Sequence, residues 1–327
     1  MRIETRMIMH GLLGVFITLV PSGAALAQIR EQYVISAKAG GVNLVSGNVT
    51  VRRQGVSGGR VLALSDDLQN GDVVTTGADG RVEVLLNPGS YFRAAENSEF
   101  ELTDGSLDRL RLRLIRGSAV VEAAGSDGTR MFLEVATPQT RIVIDRKGLY
   151  RIDCIPESAT ELRVRKGQAL VGTNSATASK VKDGHQITVR NSGEVVAAKF
   201  DKKETDSFDL WSERRGKELA DASRKLPDRA LASSYDNYRR NGIWGQRGYR
   251  SLSGLWIYDP FIAGRTFLPF YHGWSSPYGR HYSAGFGFSH RHSLFGFSFG
   301  RPARHGHVIQ SRPVVIHRHR THRHGRH

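Results

Sequence analysis

The 327-residue chain has one cysteine, Cys154, which excludes an internal disulfide and a cysteine-based zinc cluster. It has no run of 18 or more apolar residues, so nothing reads as a permanent transmembrane helix. Its last quarter lacks lysine and nearly lacks acid. From Asn241 to His327 there are 12 Arg, a single acidic residue (Asp259) and 11 of the 13 histidines, so most of the formal net charge of +16 sits at one end. Helical periodicity is missing from residues 34–199, which leaves no place for the crossover helices of parallel α/β architecture.

What is present begins with an export pattern. Arg2 and Arg6 form a positive n-region, Met7 to Val20 a short apolar run, and Ala25-Leu26-Ala27 a small-x-small cleavage site. The apolar run is too short to span comfortably and contains His10. Residues 1–27 are therefore expected to be a signal peptide, with the mature chain starting at Gln28 in the periplasm or outside the cell.

Residues 34–199 alternate with period two. Leu110, Leu112 and Leu114 interleave with Arg109, Arg111 and Arg113, giving one apolar and one cationic face. Val82, Val84 and Leu86 repeat the pattern, as do Ile142 and Ile144, Leu162 and Val164, and Ile187 and Val189. Turn chemistries separate these runs: Asn87-Pro88-Gly89, Arg116-Gly117-Ser118, Gly125-Ser126-Asp127-Gly128, Arg146-Lys147-Gly148, Lys166-Gly167 and Lys182-Asp183-Gly184. Many short strands at close spacing predict a mainly β fold of sandwich, barrel or solenoid type.

Five pieces of this stretch resemble a FecR domain. Gly71-Asp72-Val73-Val74-Thr75-Thr76, followed by Gly80-Arg81 and closing on Gly89-Ser90, is similar to the family's opening turn and strand pair. Leu114 to Val121, Val135-Ala136-Thr137-Pro138, Val164 to Val171 and Lys182 to Ile187 follow in the family's order. The chain departs from the pattern at Lys147-Gly148-Leu149-Tyr150-Arg151-Ile152, where the family usually has G-T-x-F-x-V. The resemblance implies an extracytoplasmic β-rich domain acting through protein or ligand contacts, with no catalytic residues to carry over. The family's best-known members are membrane-anchored regulators of iron-transport sigma factors with a cytoplasmic segment before the membrane. With a signal sequence expected at residue 1, no segment is expected to reach such a factor.

Residues 205–226 read as one amphipathic helix, with Phe208, Trp211, Leu219, Ala222 and Leu226 near helical spacing, Glu213 four residues before Lys217, and Pro227 as the stop. Its apolar stripe is expected to pack on the β-body rather than on a partner. Residues 227–274 form an aromatic, Gly-rich linker, with an ordered patch expected at Gly254 to Tyr271 around Trp256-Ile257-Tyr258. Residues 275–327 are poor in aliphatics and rich in Gly, Arg and His, a composition that predicts disorder.

That end admits three readings. His317, His319, His322, His324 and His327 form an alternating imidazole tract that suits Ni²⁺, Cu²⁺ or Zn²⁺, although the interleaved arginines repel a divalent cation. The same charge suits an anionic envelope polymer, whereas export argues against nucleic acid. The bland reading is a solubilising tail.

Two patterns in the body bear on catalysis. Gly55-Val56-Ser57-Gly58-Gly59 satisfies the G-x-S-x-G nucleophile elbow, but that elbow needs a strand-to-helix turn in an α/β sheet, and no helix pattern follows. A glycine-rich hairpin loop explains it better. Cys154 with His185, the one histidine of the body, suggests a thiol–imidazole pair, but the adjacent Asp153 would raise the thiol pKa, so Cys154 is expected to be a small core residue. The expectation is a non-enzymatic exported protein with a FecR-like domain at 34–199.

Overall fold

The computed structural model describes residues 34–35, 39–86, 89–126, 130–173, 177–226, 254–269 and 272–282. All belong to one compact unit, Met1–Gly287. The proposed signal peptide and the His tract both lie outside the described residues. Among the described residues no helix is long and apolar enough to cross a membrane.

The period-2 runs form two packed sheets. The first contains β3 (Val49–Arg52), β4 (Arg60–Val61), β5 (Asp72–Thr76), β8 (Glu99–Asp104), β10 (Arg130–Ala136), β11 (Arg141–Arg146), β14 (Gln168–Val171) and β15 (Ser179–Lys182). The second contains β2 (Val42–Ser46), β6 (Arg81–Leu85), β7 (Tyr91–Ala94), β12 (Gly148–Ile155), β13 (Ala159–Lys166), β16 (His185–Arg190) and β17 (Val195–Lys199). One long strand, β9 (Leu110–Ala123), belongs to both. Its first half pairs Leu112 with Leu102 of β8 and Val135 of β10; its second half pairs Val121 with Phe92 of β7 and Tyr150 of β12. The inward faces of the two sheets make one core. Phe92 and Phe100 meet across it at 4.7 Å between ring centroids.

The strand changes sheets at Gly117, where φ is +87°. The sequence pattern predicts a chain-reversing turn at Arg116-Gly117-Ser118; the structure has a bend inside a single strand. Glycine is required there twice over. An L-residue resists that φ, and a Cβ would lie 2.6 Å from the Ser98 Cα. The bend also accounts for the parallel β9–β10 pair in a chain without crossover helices. The second half of β9, running through the other sheet, is itself the crossover.

A third layer covers the outward face of the second sheet. It comprises α1 (Ser207–Lys225), a small sheet of β1 (Val34–Ile35), β18 (Gly254–Asp259) and β19 (Gly264–Pro269), and a strap, residues 272–282. The helix lies within the expected residues 205–226, and the patch expected at Gly254 to Tyr271 contains a hairpin. Two expectations need correction. Val34–Ile35 belongs to the small sheet, so the sandwich starts at Val42 rather than residue 34. Residues 275–282, expected to be disordered, are packed on the cap, because Trp274 and Tyr282 both lie on Phe267, at 4.9 and 6.0 Å between centroids. A few aromatic anchors supply the burial that the scarcity of aliphatics argued against.

The third layer also overturns the simple alternation of β6. Val82 and Val84 point into the sandwich, but Glu83, on the opposite face, is 0% exposed rather than solvated.

Candidate functional site

The capped face of the second sheet holds a buried network of ion pairs. Arg93 of β7 stands opposite Glu83 of β6 in the ladder and donates to it from Nε at 2.7 Å. Its Nη1 pairs with Glu122 of β9 at 2.7 Å and donates to Ser212 of α1 at 3.0 Å. Arg215, one turn further along α1, donates from Nε to Glu83 at 3.1 Å and from Nη1 to the Ile262 carbonyl at 3.2 Å. Asn43, bulged out of the β2–β6 register, donates to Glu83 at 2.8 Å and exchanges two hydrogen bonds with the Arg265 backbone of β19. From the strap, Ser276 donates to Glu122 and Tyr278 shares a 2.8 Å bond with Ser212. The network thus links α1, the β18–β19 turn, β19 and the strap to the second sheet.

Burial pushes both carboxyls up, with opposite outcomes. At Glu83 the Arg215 and Arg93 guanidiniums together outweigh it and hold the group below its ordinary value. At Glu122 burial outweighs Arg93, and the group lies above its ordinary value. The helix reaches this cluster by approaching very closely at Gly216, where a Cβ would lie 2.5 Å from the Tyr278 ring and 2.8 Å from the Glu122 carboxylate. The buried face of α1 is therefore mixed. Phe208, Leu219 and Ala222 pack as the periodicity predicts, and Ser212, Arg215 and Gly216 share their face. Trp211 is half-buried, stacked on Phe208 beneath the Arg81 guanidinium.

Beside the network lies a cleft of about 230 Å³ between the second sheet, α1 and the strap. Val120 and Leu149 form its floor, Arg151, Arg165 and Lys166 one wall, Asp209 and Glu213 of α1 another, and Pro277 and Tyr278 of the strap a third. Leu149 and Arg151 belong to the stretch in which the chain departs from the FecR pattern. Both arginines are largely committed: Arg151 to Asp153, Asp206 and Asp209, and Arg165 to Asp209 at 2.7 Å and to the Lys202 and Glu204 carbonyls.

These bonds meet at the helix start. Asp206 caps α1 by accepting from the Asp209 N–H at 2.8 Å, and Asp209 accepts from the Asp206 N–H. Burial pulls the Asp206 carboxyl up, but the backbone N–H groups and the Arg151 guanidinium outweigh it and leave it below its ordinary value. A lowered folded-state pKa contributes stability above the unfolded value, and that stability is lost as pH falls through the folded one. Asp206→Ala is expected to cost about 1 kcal/mol at pH 7 and progressively less below about pH 4, read as the urea midpoint against pH. Equal loss at both pH values would contradict the cap.

The sequence-predicted catalytic patterns are not brought together. Gly55 to Gly59 form the loop between β3 and β4, Ser57 is exposed, and a two-residue strand follows instead of a helix. Cys154 is buried 3.5 Å from the Ile115 carbonyl, and burial pushes its thiol up. In the β12–β13–β16 ladder Cys154 lines up with Thr160 and Val189, whereas His185 lines up with Val164 and Tyr150. The two are four residues apart along the strands, roughly 13 Å, and two strands across, too far for a dyad. Among the described residues no group of three or more His, Cys, Asp or Glu is placed to hold a metal ion. His317, His319, His322, His324 and His327 lie outside the described residues.

The described residues thus form a two-sheet β sandwich whose second sheet carries an ionic cap. Residues 72–170 match the family model described as FecR protein, so the chain carries a FecR domain, as the motif order implies. Similarity extends to two crystal structures of an anti-sigma factor candidate from Parabacteroides distasonis. One is 18% identical over 40% of this chain and 61% of that one, with a TM-score of 0.35. The other is 17% identical over 43% and 64%, with a TM-score of 0.36. The chain thus spans less than two thirds of either structure. No curated protein matches it. The cap, made of β1 and the residues from Ser207 onward, lies wholly outside the family match.

Proposed function

We propose that this is an exported, non-enzymatic FecR-domain protein that senses or scaffolds in the cell envelope through protein or ligand contacts. Its Arg- and His-rich end engages anionic envelope polymer. The observation that carries the reading is the FecR domain itself at residues 72–170, joined to a signal-peptide pattern at residues 1–27. The charge distribution supports the role of the end: 12 Arg face one acid after Asn241, and a polyanion gains from every such charge.

Fractionation of cells making the native chain tests this. The expected product starts at Gln28, pellets with the envelope and is released by high salt, because exposed charges are screened within about 10 Å at 0.1 M. Uncleaved protein in the cytoplasm would overturn the export argument and make nucleic acid the leading partner.

The alternating histidines favour a second reading, a periplasmic metal-binding accessory protein that chelates Ni²⁺, Cu²⁺ or Zn²⁺ at His317, His319, His322, His324 and His327. The two separate by pH. Chelation is lost as the imidazoles protonate below about pH 6.5, whereas polyanion binding strengthens there.

A further inference from the structure

The geometry points to the cleft between the second sheet, α1 and the strap as a binding site for a small carboxylate that carries a short apolar chain. This rests on the reading of the FecR domain as a ligand-contacting module and names the class of ligand.

The argument starts from which charges in the cleft are already answered. Asp209 is fully engaged: it accepts from Arg151, from Arg165 and from the Asp206 N–H. Glu213 is answered by Lys217 at 2.5 Å. The cations are not all answered. Lys166 is exposed, donates to the Pro277 carbonyl and, among the described residues, is paired with no carboxylate, so its remaining hydrogens face solvent. Lys202, across the mouth, pairs with Asp183, but both side chains are about half exposed, at 46% and 49%, and a pair of that kind exchanges partners readily. Arg165 is 9% exposed, and its Nε hydrogen has no acceptor. The cleft therefore has spare donors and positive charge on one side and carboxylates already neutralised on the other.

Its shape sets the rest of the ligand. Val120 and Leu149 give an apolar floor, and the Tyr278 ring and Pro277 close one side. A volume of about 230 Å³ holds a chain of a few carbons with its carboxylate, and excludes a folded protein domain or a long lipid tail. The carboxylate would replace water on Lys166 with charge-assisted bonds, with Lys202 closing over it. The apolar chain would lie against the half-buried Tyr278 ring, above Val120 and Leu149, which are 2% and 6% exposed.

The test titrates the full chain with hexanoate, hexanol and hexylammonium, following the methyl resonances of Val120 and Leu149. Hexanoate is expected to saturate those shifts in the millimolar range, with hexanol about tenfold weaker and hexylammonium without effect. Lys166→Met keeps the apolar stem and is expected to lower hexanoate affinity about tenfold, whereas Lys180→Met, on exposed β15, leaves it unchanged. Equal binding of hexanol would reduce the site to an apolar crevice. An equal effect of the two lysine variants would reduce it to net charge. Absence of saturation would remove it. Each of these overturns the inference without touching the envelope role, which fractionation tests separately.

Discussion

Replacing Arg93 with methionine is expected to lower the unfolding free energy by about 3–5 kcal/mol. Methionine fills much of the same space, so the loss is electrostatic. Arg93 is 0% exposed and pairs with two carboxylates that are equally buried, Glu83 and Glu122. Without it Glu83 keeps Arg215 and Asn43, but Glu122 keeps only the Ser276 hydroxyl. Adding Glu122→Gln to Arg93→Met is expected to restore a substantial part of the stability, because it removes the stranded charge. A loss under about 1 kcal/mol in urea unfolding of the single variant would mean that the network is solvated and does not hold the cap. The pair as such is weak evidence of net stabilisation, since desolvating four ionic groups costs nearly what their attraction returns. Its value on this reading lies in fixing where the helix sits on the sheet.

The second large effect concerns the corner of β9. Gly117→Ala is expected to cost about 2–5 kcal/mol, combining the penalty of an L-residue at φ +87° with forced separation of β9 from Ser98. Gly184→Ala supplies the comparison. Its φ is +76°, and an added Cβ meets only the Lys202 side chain at 3.4 Å, so it carries the conformational penalty almost alone. The difference between the two, about 1–3 kcal/mol by urea unfolding, isolates the close approach at the corner. Equal losses would show that the sheet-to-sheet bend tolerates a side chain.

Much of the sandwich was legible because its inner faces alternate with solvent. Leu110, Leu112 and Leu114 are buried and Arg111 and Arg113 exposed, as the period predicts. The cap was harder to see, since its contact face is built of charges. Helix periodicity weighs Phe208 and Leu219 and passes over Arg215, which is 3% exposed. A signal was nevertheless present. Tyr91 to Ala95 and Ala119 to Ala124 are apolar on both faces apart from one charged residue each, Arg93 and Glu122. Strands of that composition are covered on both sides, and a lone charge in each implies a buried partner for the other. The cleft had no such signal. Lys166, Lys202 and Tyr278 come together only through the path of the strap over the second sheet, which local pattern does not specify.

Hydrogen exchange resolved by residue tests the central claim, that α1, the β18–β19 hairpin and the sandwich form one cooperative unit. The account expects the interior amides of α1 and of β19 to open with the same free energy as those of β12, and all three to fall together in Arg93→Met. Fast exchange in α1 and β19 beside a protected β12 would contradict it, leaving a bare FecR sandwich with a loosely attached C-terminal segment.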